Sequence, residues 1–377
     1  MSSKKRIISI DILRGFVMVI MLLDHVRERF FYHMPIGDPM DIYTISPDLF
    51  FTRLPAHLCA PIFIFLTGLS AWLYSHPSGG KQRSASSFLL KRGLFIISIE
   101  VTLINFSWFG SYHTLYLQVM WAIGLSMIAL AVISKLPHGL VGFIGFLIIF
   151  GHNALTPINF QPNETGYTLW TILHDRGFLI NEGLIKIKVS YPVLSWIGLI
   201  CVGYFTGPLF SPKTLPTIRK KTLCWSGMAC LTLLVVLRGF NIYGEAEPWE
   251  IHNNFIQTFM SFLNYTKYPA SLDFMLFTMG IALPLLVLFE KYDNPFKALR
   301  VYGSAPLFFY VLHLYVLLIL YKICFAVWGE THDGYFCLQS IGTVWLLTAT
   351  LAVLLYFPTQ RFATFKHNSR SPWIKYF

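Results

Sequence analysis

Charge is what this sequence has least of. Only 12% of its 377 residues are Asp, Glu, Lys or Arg, about half the share usual in a soluble domain. Acidic residues are the scarcest, 18 against 29 Lys and Arg, which leaves a formal net charge of +11. Such an excess could point to nucleic acid. The basic residues form no patch, however, and lie scattered between apolar runs, which excludes that partner. Cysteine is sparse too. Cys59, Cys201, Cys224, Cys230, Cys324 and Cys337 lie in or beside apolar runs without paired metal-ligand spacing, so they read as small apolar residues and no metal is expected. There is no internal repeat, low-complexity tract or soluble-domain stretch. Lys4, Lys5 and Arg6 precede an apolar run too long for a signal peptide, and no small-residue cleavage site follows it, so no cleavable signal is expected.

What is present is apolar and aromatic: 55% hydrophobic residues and 17% Phe, Trp and Tyr. That composition fits a surface facing lipid with aromatic belts at the headgroups. A membrane span needs roughly 20 apolar residues. Ten segments qualify: 8–28, 54–74, 88–109, 113–134, 138–153, 190–210, 222–240, 270–290, 303–328 and 335–357. The fifth is short and holds four glycines. With the N-terminus inside, the inner segments carry 19 Lys and Arg and the outer segments 8, as the positive-inside rule requires. The expected fold is therefore all-α: a single domain over residues 1–377, a polytopic helical bundle of about ten transmembrane helices with both termini inside. The long loops 29–53, 154–189 and 241–269 then fall outside, where loops of that length often bind ligands.

Ionisable residues within such spans are functional candidates, because burying them in a bilayer costs several kcal/mol without a partner or cavity. The first span holds Asp11, Arg14 and, after an apolar stretch, Asp24-His25 and Arg29. At 100° per residue, Asp11, Arg14, His25 and Arg29 fall within about 60° of each other, and Arg14 to His25 rises about 16 Å. Asp11 and Arg14 also read as an i,i+3 ion pair at the inner headgroups. In the second span Arg53 and His57 are i,i+4 neighbours near the outer end, Pro61 kinks the helix, and Gly68 with Ala71 allows close packing. Glu100 and Asn105, His113 and Gln118, His152 and Asn153, Lys267 and Asp273 gather on the same outer side, and His313 sits near mid-membrane in the ninth span with Tyr310 on its face. Each taken alone reads more readily as a headgroup-level residue. Together they point to a polar cavity opening outward.

Ser9-Ile10-Asp11, Leu13-Arg14-Gly15, Asp24-His25, Phe51-Thr52-Arg53, His57-Leu58-Cys59-Ala60-Pro61 and Phe65-Leu66-Thr67-Gly68 resemble the membrane acyltransferases of the heparan-alpha-glucosaminide N-acetyltransferase catalytic-domain type. Val119-Met120-Trp121-Ala122-Ile123-Gly124, Tyr191-Pro192, Trp196-Ile197-Gly198, Lys267-Tyr268-Pro269 and Phe309-Tyr310-Val311-Leu312-His313 resemble its bacterial members. The likeness thus spans nearly the whole chain. The opening motif is also similar to the wider acyltransferase-three superfamily, in which a first-helix Arg is followed eleven residues later by an essential His, the spacing of Arg14 and His25.

The resemblance implies transfer of an acetyl or other acyl group from cytosolic acyl-CoA to an outward-facing sugar or glycan, in a bacterial cytoplasmic membrane. It implies His25 as base or acyl carrier. In the family's lysosomal animal enzyme that position looks like an Asn, with the catalytic His further on, which makes His33 the nearest counterpart here. A His suits deprotonation near neutral pH. A carboxylate such as Asp24, Glu100 or Asp273 could orient its ring. Arg14, Lys91 and Arg92 could hold the phosphates of acetyl-CoA. Arg29, Arg53, His57, Glu100, Lys267, Asp273 and His313 would line the substrate cavity. A transporter or flippase for an anionic or glycan substrate is the alternative, without the internal symmetry such folds often show.

Overall fold

The computed structural model describes residues 7–31, 40–77, 80–332, 334–371 and 373–377. The chain is mostly helical, and helices occur in all ten of the apolar segments. Six are long and apolar enough to cross a membrane: Pro47–Ser75, His138–Leu155, Pro216–Gly239, Leu272–Lys291, Pro306–Trp328 and Ile341–Asn368. The other four are shorter or more charged. Val119–Ile133 and Leu194–Phe210 are apolar but short. The first helix, Ile8–Val26, carries Asp11, Arg14 and Asp24, and the Ser86–Ile99 helix carries Lys91 and Arg92 ahead of Glu100.

The expectation of an all-α fold needs one correction. Residues 114–117 (β1), 177–180 (β2) and 186–189 (β3) form a three-stranded sheet in the order β1-β3-β2, with β1 parallel and β2 antiparallel to β3. The register sets Thr114 opposite Lys186 and Leu117 opposite Val189. The alternation of Lys186-Ile187-Lys188-Val189 is a strand pattern, hidden in a stretch assigned to loop. The fourth segment accordingly begins its helix at Val119, not at His113.

The chain divides into two compact units. One comprises Ala60–Trp249 and Tyr265–Val287, the other Ile7–Cys59, Glu250–Asn264 and Leu288–Phe377. In the first unit apolar helices pack against one another through glycines. A Cβ on Gly68 would overlap the Ile200 carbonyl, and one on Gly203 would overlap the Phe65 carbonyl. Close backbone approach of this kind is how helices associate where lipid removes the hydrophobic drive.

In the second unit the first helix is buried along almost its whole length, and it crosses the Lys297–Ser304 helix at a glycine pair. A Cβ on Gly15 would run into the Leu299 carbonyl, and one on Gly303 into the Asp11 carbonyl. The Cys59 thiol donates to the Val17 carbonyl at 3.4 Å. After Val26 the first helix widens into a π-helical turn, Arg27–Phe31, whose Phe30 carbonyl accepts the Leu338 N–H at 2.7 Å. Such turns recur where helices carry function. The wider winding also breaks the 100° stripe between His25 and Arg29.

Candidate active site

Three elements of the second unit converge near the end of the first helix. The α-helical part delivers Asp24 and His25, the π turn Arg27 and Arg29, and the helix beginning at Pro47 delivers Arg53. The Pro306–Trp328 helix adds Tyr310 and His313. All seven side chains are buried.

His25 and His313 face one another. Their rings stack with centroids 5.0 Å apart and planes 17° from parallel, and His25 Nδ1 lies 2.7 Å from His313 Nε2. His313 Nδ1 is 2.7 Å from the Phe309 carbonyl. A carbonyl only accepts, so Nδ1 of His313 carries the proton, and in the neutral ring Nε2 is the acceptor. His25 must then donate through Nδ1, which leaves its lone pair on Nε2. Tyr310 stands edge-on to His25 with a centroid distance of 5.8 Å.

Asp24 is engaged by two arginines. Arg27 Nε and Nη2 reach Oδ1 at 3.1 and 3.0 Å, and Arg53 Nη1 donates to Oδ2. The bond to His25 Nδ1 is made by His313, not by a carboxylate, so the orienting group is a second histidine. Arg27 is one of the outer-side charges in the sequence, and its i,i+3 spacing from Asp24 is a pairing signal.

The remaining sequence candidates separate. Arg14 and Asp11 form the i,i+3 ion pair, Nη1 to Oδ1, at 3.6 Å. Arg29 and His57 are buried in the second unit, His57 in a 3₁₀ turn over Pro55. His33 lies outside the described residues. Glu100, Lys91, Arg92, Lys267 and Asp273 belong to the first unit. Glu100 Oε2 accepts the Met120 N–H at 2.9 Å, which caps the helix starting at Val119, where a carboxylate meets orphan N–H groups and the positive end of the dipole. Lys91 is exposed, and the Arg92 guanidinium lies 5.9 Å from the Phe88 ring centroid. Lys267 Nζ sits 5.7 and 5.4 Å from the rings of Tyr191 and Tyr268. Asp273 is fully buried, and neither carboxylate oxygen meets a hydrogen-bond donor among the described residues. Among the described residues no group of three or more His, Cys, Asp and Glu is arranged to hold a metal ion.

Residues 6–237 match the family described as heparan-alpha-glucosaminide N-acetyltransferase, catalytic. The match covers more than half of the chain. This protein belongs to that family. No curated protein matches it. The matched segment contains His25, Asp24, Arg27 and Arg53; His313 lies beyond it. Family and apolar helices together make the chain an integral membrane protein of an acetyltransferase family.

Proposed function

We propose that this protein moves an acetyl or other short acyl group from cytosolic acyl-CoA to a sugar or glycan facing the outer side of a bacterial cytoplasmic membrane, with ten spans and both termini inside. The observation that carries the reading is the buried His25–His313 pair, with its lone pair on His25 Nε2, inside a chain of an acetyltransferase family. Membership in that family favours transfer over transport.

His25 Nε2 takes the proton of the acceptor hydroxyl or amine as that atom attacks the thioester carbonyl. The tetrahedral intermediate collapses, the C–S bond breaks, and the coenzyme A thiolate leaves with the proton that His25 returns. In the two-step form His25 Nε2 itself attacks the carbonyl and the C–S bond breaks with loss of the coenzyme A thiolate; the acceptor then attacks the acetyl-imidazolium, the N–acyl bond breaks, and the acceptor's proton goes to the freed Nε2 and on to the thiolate. His313 holds the proton on His25 Nδ1 in both forms. The Asp24–Arg27–Arg53 cluster supplies fixed, forked donors suited to developing negative charge.

The test is incubation of the purified chain with radiolabelled acetyl-CoA and a panel of glycans. Label in a glycan product supports direct or two-step transfer, and label held on protein in the absence of acceptor singles out the acetyl-histidine. No label in either, from folded protein, sinks the reading.

A further inference from the structure

The helices of the first unit flank an open cavity of about 590 Å³ at the ends that the proposed topology turns to the cytoplasm, and its Arg83 and Lys135 are exposed to solvent. Trp72, His76, Arg83, Lys135, His138 and Tyr204 form much of its wall, and no Asp or Glu lines it. Lys91 and Arg92, the donor-site candidates of the sequence, are not among the residues of the cavity wall.

One of its cationic groups, Arg83, is held in place. Arg83 Nε donates to the Tyr74 carbonyl at 2.8 Å, and the guanidinium lies 3.8 Å from the Tyr74 ring centroid. The Arg83 N–H bonds the Ser75 carbonyl at 3.0 Å. These contacts fix the guanidinium through Nε, while neither Nη group meets an acceptor among the described residues. Lys135, just past the Val119–Ile133 helix, has no carboxylate partner in the cavity. The helices Ser86–Ile99 and His138–Gly151 both start here, with Ala85 and His138 in the wall, so two positive dipole ends add to the two charges. The aromatic floor is rigid. His76 stacks on Trp72 at 4.2 Å and 11°, the Trp72 indole fills the space where a Cβ on Gly207 would sit, and His138 Nε2 donates to the Phe205 carbonyl at 3.0 Å.

A concave, carboxylate-free site with a preset guanidinium suits an anion that accepts several hydrogen bonds and carries more than one charge. We propose that this cavity binds the multiply charged phosphate end of a nucleotide co-substrate. Under the acyltransferase reading, on which the identity of the ligand rests, that is the nucleotide portion of acyl-CoA. An anionic lipid headgroup shares the phosphate chemistry, so the experiment separates the two.

Coenzyme A is titrated by calorimetry into the full chain in neutral detergent, for wild type, the Arg83→Gln/Lys135→Gln double variant and a Lys213→Gln control outside the cavity. Loss of charge-assisted bonds weakens coenzyme A binding in the double variant by at least about tenfold. Pyrophosphate competes, phosphatidylglycerol does not, and the control binds as wild type. If the double variant fails to fold, Arg83→Lys carries the test: the charge stays, the fork is lost, and affinity falls by a few fold. Coenzyme A bound equally by wild type and double variant overturns the site and leaves the acyltransferase reading intact. Displacement of coenzyme A by phosphatidylglycerol makes the cavity a lipid site and also overturns it. A wild type that binds pyrophosphate but not coenzyme A, with pyrophosphate lost in the double variant, keeps the phosphate site and retires the acyl-CoA reading.

Discussion

The lone pair of His25 is set by a relay that begins at a backbone carbonyl: Phe309 accepts from His313 Nδ1, and His313 Nε2 accepts from His25 Nδ1. If His25 is the base, His25→Ala should fold and still bind acyl-CoA but lose at least about a hundredfold in turnover. His33→Ala should keep most activity; a dead His33→Ala beside a normal His25→Ala would move the chemistry to the first outer loop. On that reading His313 acts through His25, and its test is rescue by a conservative variant. His313→Gln keeps an acceptor and should retain far more kcat than His313→Leu, with the pH profile of kcat moved only in the Leu variant. Equal kcat and unmoved pH profiles would leave His313 a packing residue. Asp24 raises a different point. Its carboxylate joins two arginines that are themselves buried, while Arg27 also reaches Glu28 at 3.3 Å, so Asp24→Asn should destabilise by about 3 kcal/mol, because it removes the buried charge that the two arginines share. Thermal unfolding in detergent checks this, and an unchanged midpoint would show the arginines to be paired elsewhere. At this scale the sequence exposes the ionisable side chains as misfits in apolar runs. It does not expose their pairing: His25 and His313 are 288 positions apart, and only packing of the helices determines which groups meet.

Helices were legible because their signal is length and apolarity, summed over many residues. Four-residue strands sum over too few, so the β1–β3 sheet carries no comparable signal. The π turn at Arg27–Phe31 was invisible for another reason, since its winding is a local departure that no residue type marks. Glycine is the case between. Gly68 read as a close-approach site, and its backbone does meet Ile200. Gly15 stands out through the Arg14-Gly15 motif, but its partner, Gly303, emerges only from the crossing of the first helix with Lys297–Ser304. At that crossing a methyl group has nowhere to go but into the Leu299 carbonyl backbone, and backbone yields far less readily than a side chain. Gly15→Ala should therefore cost folded yield and several degrees of thermal stability, against the gain of about 0.5–1 kcal/mol that Gly→Ala gives in an unobstructed helix. Gly239→Ala is the matched control, since its Cβ meets nothing within 4 Å. Equal stability of the two variants would mean that the crossing can open.

At the scale of the whole molecule, the two ways of counting spans make opposite statements about the side on which a loop lies. If only the six long apolar helices cross and the N-terminus is inside, residues 156–215 are cytoplasmic, and Lys81, Arg83, Lys91, Arg92 and Lys135 all face outward, against the positive-inside rule. If the six cross with the N-terminus outside, the C-terminal Arg361, Lys366 and Arg370 face outward instead. Ten spans with both termini inside avoid both conflicts, because the first helix, the Ser86–Ile99 helix with its continuation, Val119–Ile133 and Leu194–Phe210 then cross as well. Their charges do not forbid it: Asp11 pairs with Arg14, Asp24 with Arg27 and Arg53, and Glu100 caps a helix. Two cysteine probes separate the three layouts, one at Asn163 and one at Asn368, both exposed, each read in intact cells with a membrane-impermeant maleimide. Ten spans require labelling at 163 and protection at 368. Six spans with the N-terminus inside require protection at both, and six with it outside require labelling at both. Labelling at 163 alone is the expected outcome, and either of the other two patterns would withdraw the ten-span topology and, with it, the assignment of the Arg83–Lys135 cavity to the cytoplasmic side.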